Sequence, residues 1–236
     1  MQGFTLQDAL KKHLEGDMGT AERMYRAILE RHPNKFEPCF YMASLLTQQN
    51  KIGEAIVFLY RCSMLSDNPV VWNNLGSLFR RLNHTELAKE VLLKGMENPG
   101  ELEADLCNNL GTTYVNEGAP SSGETFLRRA IRIEPEHVQA HWNLGLVLLE
   151  NRRWEEGWKN YHYGTHSDER IGRWLTWPQW HGEKTSVCVY GEQGLGDEIM
   201  FSSMIPDVTE AAEEVVFECH PRLEQTFKRS FPGIHI

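Results

Sequence analysis

Three stretches of the chain are variants of one another: WNNLGSLF from Trp72, CNNLGTTY from Cys107 and HWNLGLVL from His141. Their leucines, Leu75, Leu110 and Leu144, are spaced by 35 and 34 residues. A period of that size marks a supersecondary unit that cannot bury its apolar face alone. Copies must stack, each covering its neighbour, and the product is a solenoid.

Looser copies precede these three. Met42, Ala43, Leu46, Ala55 and Leu59 make one, and Ala9, Ala21, Tyr25, Ile28 and Pro33 make the first. Trp72, Leu75, Gly76 and Phe79 lead into Ala88 and Leu92; Leu110, Gly111 and Tyr114 lead into Gly123, Leu127, Ala130 and Pro135. The last copy runs through Leu144, Gly145, Leu148, Gly157 and Tyr161. Small residues at two fixed places let paired helices cross closely, and large apolar residues fill the space between pairs. This pattern resembles the tetratricopeptide repeat, W-x2-L-G-x2-Y followed by A-x3-F and P. The resemblance covers residues 3 to about 163 as five helix pairs. It implies a mainly α fold, a right-handed superhelix whose concave groove is lined by the first helix of each pair.

Asn74, Asn109 and Asn143 stand just before the three Leu-Gly pairs. A side-chain amide offers donors and acceptors together. A row of amides suits the backbone of an extended peptide, and it equally suits solvation of a packed helix. The row resembles the asparagine ladder of the O-linked N-acetylglucosamine transferase repeat domain. Gln7 and Tyr41 take that position in the first two copies, so a ladder would cover only the last three.

Bulk properties narrow the partners. The formal charge of −9 repels phosphate backbones and anionic lipid, so neither nucleic acid nor a membrane surface is expected. No apolar run is long enough to span a bilayer, and the N-terminal residues lack the order of a signal peptide. The five cysteines are scattered without a C-x-x-C pair. That argues for reduced thiols in the cytoplasm and against a disulfide framework or zinc knuckle. Among His162, His166, His181 and His220 only the first two share an i, i+4 spacing, with no further ligand placed beside them, so no metal is expected.

The texture changes after the fifth copy. Residues 164–184 hold Trp174, Trp177 and Trp180, too aromatic for a free linker, and are expected to pack as a collar. Residues 185–236 then alternate between short β-rich runs and helical stretches: SVCVYG, a buried strand; DEIMFSSMIPDVTEAA, a helix that Asp197 is placed to cap; EVVFECH, a second strand; PRLEQTFKRSF, a helix opened by its proline; and PGIHI, the start of a third strand. Such alternation predicts a parallel, Rossmann-like sheet, here incomplete.

Gly191, Glu192, Gly194, Gly196 and Asp197 fall between the first strand and its helix, where α/β proteins bind ligands. The spacing G-x-x-G-x-G is neither the dinucleotide fingerprint nor a P-loop, and two carboxylates repel phosphate. Asp197 suits general-base work on a hydroxyl, or it simply caps the helix. GWKNYHYG, PQWHG, GEQGLGDEIMF and VVFECHPRL with FPG together resemble bacterial proteins in which tetratricopeptide repeats precede a heptosyltransferase-like domain of the glycosyltransferase-B fold. That resemblance implies that Gly196 and Asp197 hold the acceptor-activating base and that Gly191, Glu192 and Gly194 shape the acceptor loop. It also implies a second lobe for the nucleotide-sugar donor, which these residues do not supply, so no cofactor is expected to bind this chain and no transfer is expected from it alone. Two functions stay open: the beginning of a sugar transferase whose repeats select the acceptor, or a repeat module that binds a protein or extended peptide and carries a non-catalytic α/β cap. The open edge of an incomplete sheet, or the terminal repeat, also suits dimerisation.

Overall fold

The computed structural model describes residues 5–163, 178, 180–191 and 194–236. The chain divides into two compact units, residues 1–163 and 164–236.

The first unit stacks helices in antiparallel pairs: α1 (Leu6–Leu14) with α2 (Met18–Arg31), α3 (Phe36–Gln48) with α4 (Ile52–Leu65), α5 (Pro69–Arg81) with α6 (Thr85–Gly95), α7 (Glu103–Asn116) with α8 (Pro120–Ile133), and α9 (Val138–Glu150) with α10 (Trp154–Tyr161). Local chemistry sets the starts. Thr5 and Asp8 form a reciprocal capping box on α1, Asp17 accepts from the Thr20 N–H, and Asn68 accepts from the Val70 N–H with Pro69 at the first helical position. Each pair turns through one left-handed residue: Gly16, Asn50, Asn83, Gly118 and Arg152, at φ of 81°, 59°, 60°, 85° and 59°. These five positions repeat with the same period as the Leu-Gly pairs. Glycine and asparagine adopt that conformation readily, whereas Arg152 is strained there.

The predicted small residues are where the helices of a pair touch. Ala9, Ala21, Ala43, Ala55 and Ala88 are at most 1% exposed. A Cβ on Gly76 would collide with the Leu92 side chain, and one on Gly111 would lie 3.0 Å from the Gly123 carbonyl oxygen. One on Gly145 would lie 2.6 Å from the Tyr161 backbone nitrogen. Between pairs, buried leucines form the core: Leu59, Leu75, Leu92, Leu110, Leu127, Leu144 and Leu148 are all at most 2% exposed.

Ion pairs repeat too. Arg26 bonds Glu22 at 2.8 Å and Glu54 at 3.2 Å, while Lys51 reaches Glu22 at 3.1 Å. The equivalent four positions at the other end are Glu124, Arg128, Arg153 and Glu156, with contacts of 2.6–2.8 Å. Such exposed pairs add little stability one by one, but they tie α2 to α4 and α8 to α10 in fixed register.

In the second unit, β1 (Ser186–Tyr190) pairs in parallel with β2 (Glu214–Glu218), with Val187 opposite Val215 and Val189 opposite Phe217. Between them run α11 (Leu195–Phe201), a 3-10 turn (Ser202–Met204) and α12 (Ile205–Ala211), so the expected single helix is broken ahead of Pro206, which sits in the first turn of α12. The predicted proline start also differs: α13 (Glu224–Ser230) begins three residues after Pro221. The third strand is reduced to one parallel bridge, Val216 to His235.

Among the described residues, packing is found on one face of this sheet. Val187, Val215 and Phe217 are buried, against Ala212 and, through Phe217, against Ile205, Leu223 and Phe227. On the other face Cys188 is exposed and Val216 is 43% exposed. The expectation of a strand buried on both faces is therefore corrected to one with period-2 burial. Of the expected collar, residues 164–177 and 179 lie outside the described residues; Trp180 donates its indole N–H to the Glu183 carbonyl at 2.8 Å and packs near Val187 and Val215.

Candidate functional site

Leu75, Leu110 and Leu144 are buried to 2% exposure or less and thereby fix the rotation of α5, α7 and α9. These first helices run side by side, α5 against α7 and α7 against α9. The residues just before each leucine fall on the face where they meet.

Two of the three predicted asparagines, Asn109 and Asn143, are bridged there, each to an asparagine of the preceding first helix. The Asn109 amide donates to the Asn73 Oδ1 at 2.7 Å, and the Asn143 amide donates to the Asn108 Oδ1 at 2.8 Å. Each step of the ladder thus joins one repeat to the residue before the equivalent asparagine in the preceding repeat. Gln139 donates to the Asn143 Oδ1 at 3.4 Å. Asn74 is half-buried, and no hydrogen bond of its side chain is found among the described residues. Asn73 and Asn108 belong to this face as well, and the doublets Asn73-Asn74 and Asn108-Asn109 are the sequence signal that marks them.

The amides keep spare capacity. A primary amide carries two N–H donors and an oxygen with two lone pairs. Asn109 spends one donor on Asn73, and its own oxygen remains an acceptor. The face therefore presents fixed donors and acceptors close together, held in place by bonds between repeats.

A cation belongs to the same face. Arg80, in the last turn of α5, donates from Nη1 to the Thr112 hydroxyl on α7. Thr112 is 9% exposed and turns its own hydrogen toward the carbonyls of Asn108 and Asn109, 3.1 and 3.0 Å away. Burial lowers the Arg80 pKa from its usual value. Sequence gave no hint of this contact, which spans 32 residues.

In the second unit, Gly194 takes the N-cap position of α11, and Asp197 sits in the first turn with its N–H bonded to the Gly194 carbonyl at 3.0 Å. The expectation that Asp197 caps the helix is thus corrected; a glycine at the cap leaves the aspartate three residues inside. A second carboxylate, Glu198, unmarked in the sequence, joins Gly191 to the end of β2. Its Oε2 accepts the His220 N–H at 2.8 Å, and its side chain lies over Gly191, where a Cβ would meet it at 2.6 Å. Gly191 is therefore explained by close approach. Gly194 and Gly196 face open space. Glu192 lies outside the described residues, as does His166. Among the described residues, no group of three or more His, Cys, Asp or Glu is gathered as metal ligands would be, and no helix is long and apolar enough to cross a membrane.

Comparison with known proteins agrees with the repeat architecture. Residues 70–98 and 104–137 match the tetratricopeptide repeat model. Protein FlbA of Caulobacter vibrioides is 25% identical over a 275-residue alignment that covers 97% of this chain and 46% of FlbA. The chain thus spans about half the length of that curated relative. Among solved structures, MamA is similar with a TM-score of 0.60 at 22% identity, covering 70% of this chain and 96% of MamA. Pseudomonas aeruginosa PilF gives 0.65 at 16% identity, covering 96% of this chain and 90% of PilF. YrrB, a TPR protein described as having an unusual peptide-binding site, gives 0.50 at 20% identity over 61% of this chain and 75% of its own. These structural likenesses bear on the fold alone.

Proposed function

We propose that this tetratricopeptide-repeat chain is a receptor for an extended polypeptide, held along the face of α5, α7 and α9. The observation that carries the reading is the pair of amide bridges, Asn109 to Asn73 and Asn143 to Asn108, which fix asparagines in place and leave donors and acceptors unspent. An extended peptide offers N–H and C=O groups in alternation, and amides match both. Recognition through the backbone tolerates many side chains. The peptide-binding description of YrrB is consistent with it.

The test is binding of acetylated, amidated peptides on an array, followed by calorimetry. Replacing Asn74, Asn109 and Asn143 together by Ala removes about three hydrogen bonds of roughly 1 kcal/mol each, so affinity is expected to fall about a hundredfold. Helix content should be retained. Unchanged affinity would refute the reading.

A second reading concerns residues 185–236. The parallel order of β1 and β2, the bridge at His235 and the first-turn position of Asp197 support an acceptor lobe of a sugar transferase, with Asp197 as general base. The check is Asp197→Asn in the longest native form of the protein, assayed with nucleotide-sugar donors: transfer is expected to vanish with the fold intact. An active variant removes the base assignment.

A further inference from the structure

We propose that the outer face of α4 is a self-association surface, on which a second copy of this chain docks through Val57, Tyr60 and Met64, flanked by Arg23 and Glu90. This face belongs to the second helices of the pairs and is independent of the peptide reading of the first helices.

Each second helix carries a buried small residue, and outward positions recur at fixed distances after it. Counted from Ala55, those of α4 hold Val57, Tyr60 and Met64. The other repeats are polar there. Arg23, Glu90, Thr125 and Lys159 stand where α4 has Val57; Arg26 and Arg128 where it has Tyr60; Glu30, Glu97 and Arg132 where it has Met64. Val57 is 67% exposed and Met64 86%. The Tyr60 ring, 41% exposed, lies 6.2 Å from the ring of buried Phe79 and is held by it. Single exposed apolar side chains are ordinary, but a helical stripe of them marks a contact surface.

Charge identifies what covers the stripe. Most ionised groups around it are satisfied within the chain: Arg26 and Lys51 hold Glu22 and Glu54, Lys89 holds Glu86 and Glu117, and Lys94 holds Glu97. Arg23 and Glu90 are the exceptions. Arg23 donates to the Thr20 hydroxyl at 3.0 Å, and no ion pair of Arg23 or Glu90 is found among the described residues. Both occupy the repeat position of Val57, on the helices either side of it. A row therefore crosses the face, positive on α2, apolar on α4 and negative on α6. Burial, and then the nearby Glu90 carboxylate, raises the Tyr60 phenol from its ordinary value.

Such a row is its own complement when turned over. A two-fold axis along α4 sets Val57 on Val57, Tyr60 on Tyr60 and Met64 on Met64. It also sets Arg23 of each copy against Glu90 of the other, so the ion pair forms twice. Isologous interfaces have this property, and it distinguishes a second copy from an unrelated partner. In the same arrangement Leu93 meets the aliphatic stem of Arg26. Glu30 approaches Glu97, whose charge Lys94 already offsets at 2.5 Å.

Analytical ultracentrifugation of the chain over a concentration series tests the proposal, and a reversible dimer is expected. Met64→Lys places a charge in the interface twice and should raise the dissociation constant about a hundredfold. Val57→Lys should act alike, and both positions are exposed enough for the fold to survive. Arg23→Glu and Glu90→Arg each set like charges together twice and should each weaken the homodimer about tenfold. Mixing these two variants gives each copy the charge the other lacks, so the mixed dimer should regain wild-type affinity. A wild-type chain that stays monomeric to about 1 mM, a dimer indifferent to both Met64→Lys and Val57→Lys, or a mixture no tighter than its parts overturns the proposal.

Discussion

The glycines of the two units look alike in the sequence and do opposite things. In the repeats, Gly76, Gly111, Gly123, Gly145 and Gly157 are contact points where one helix presses on its partner, and an added Cβ would strike a leucine, a valine or the backbone itself. In the loop after β1, Gly194 and Gly196 meet nothing within 4 Å, and Gly191 alone is pressed, by a flexible glutamate. Glycine in the solenoid serves packing, so it recurs with the period of the stack. Glycine in the α/β unit follows no such period: Gly191 accommodates the Glu198 side chain, while Gly194 and Gly196 have open space around them.

Substitutions at these positions are expected to break the comparison unevenly. Gly145→Ala should be the most damaging, because the methyl meets the Tyr161 backbone at 2.6 Å and backbone cannot rotate aside. Overpacking of this kind costs about 1–3 kcal/mol, and urea denaturation followed by helical circular dichroism should show a loss near the upper end. A wild-type midpoint would mean that the pair does not cross where the structure has it. Gly191→Ala should cost about 1 kcal/mol, since Glu198 can swing away but gives up the His220 N–H. Faster hydrogen exchange at the His220 amide, with the repeats unaffected, is the expected signature.

Arg152→Gly should act in the other direction. It relieves the left-handed strain at φ 59° and should stabilise the α9–α10 pair by about 0.5–1 kcal/mol, read from the same urea midpoint. Gly196→Ala sits in the first turn of α11 with open space around it and should be neutral or stabilising by about 0.5 kcal/mol. A stable Gly196→Ala variant that nonetheless loses ligand binding in the longest native form would sharpen the contrast, by showing that the space is kept for a ligand.

What the sequence disclosed follows from the same physics. Stacked pairs need small residues where helices cross and leucines between pairs, so the repeats, their helices and the asparagine face were legible from Leu75, Leu110 and Leu144 onwards. The left-handed turns at Gly16, Asn50, Asn83 and Gly118 were legible in principle, through residue types that favour that conformation; Arg152 carried no such mark. Contacts that cross repeats without periodic residue types stayed hidden. Arg80 reaches Thr112, with no carboxylate motif to announce it. Glu198 touches Gly191 and the His220 amide, three parts of the chain that only the folded strands and helix bring together. Asp197 lies between the first strand and its helix, where either a base or a cap is expected, and the folded chain gives the cap to Gly194.

The central claim is that the asparagine-bearing face of α5, α7 and α9 receives a peptide. It is tested most directly by the side-chain amide resonances of Asn73, Asn74, Asn108, Asn109 and Asn143 during titration with a bound peptide. The account predicts that these five NH2 pairs shift together and saturate with one dissociation constant. A peptide that binds while all five stay unmoved, and shifts resonances of α4, α6 or the β1–β2 unit instead, would contradict it.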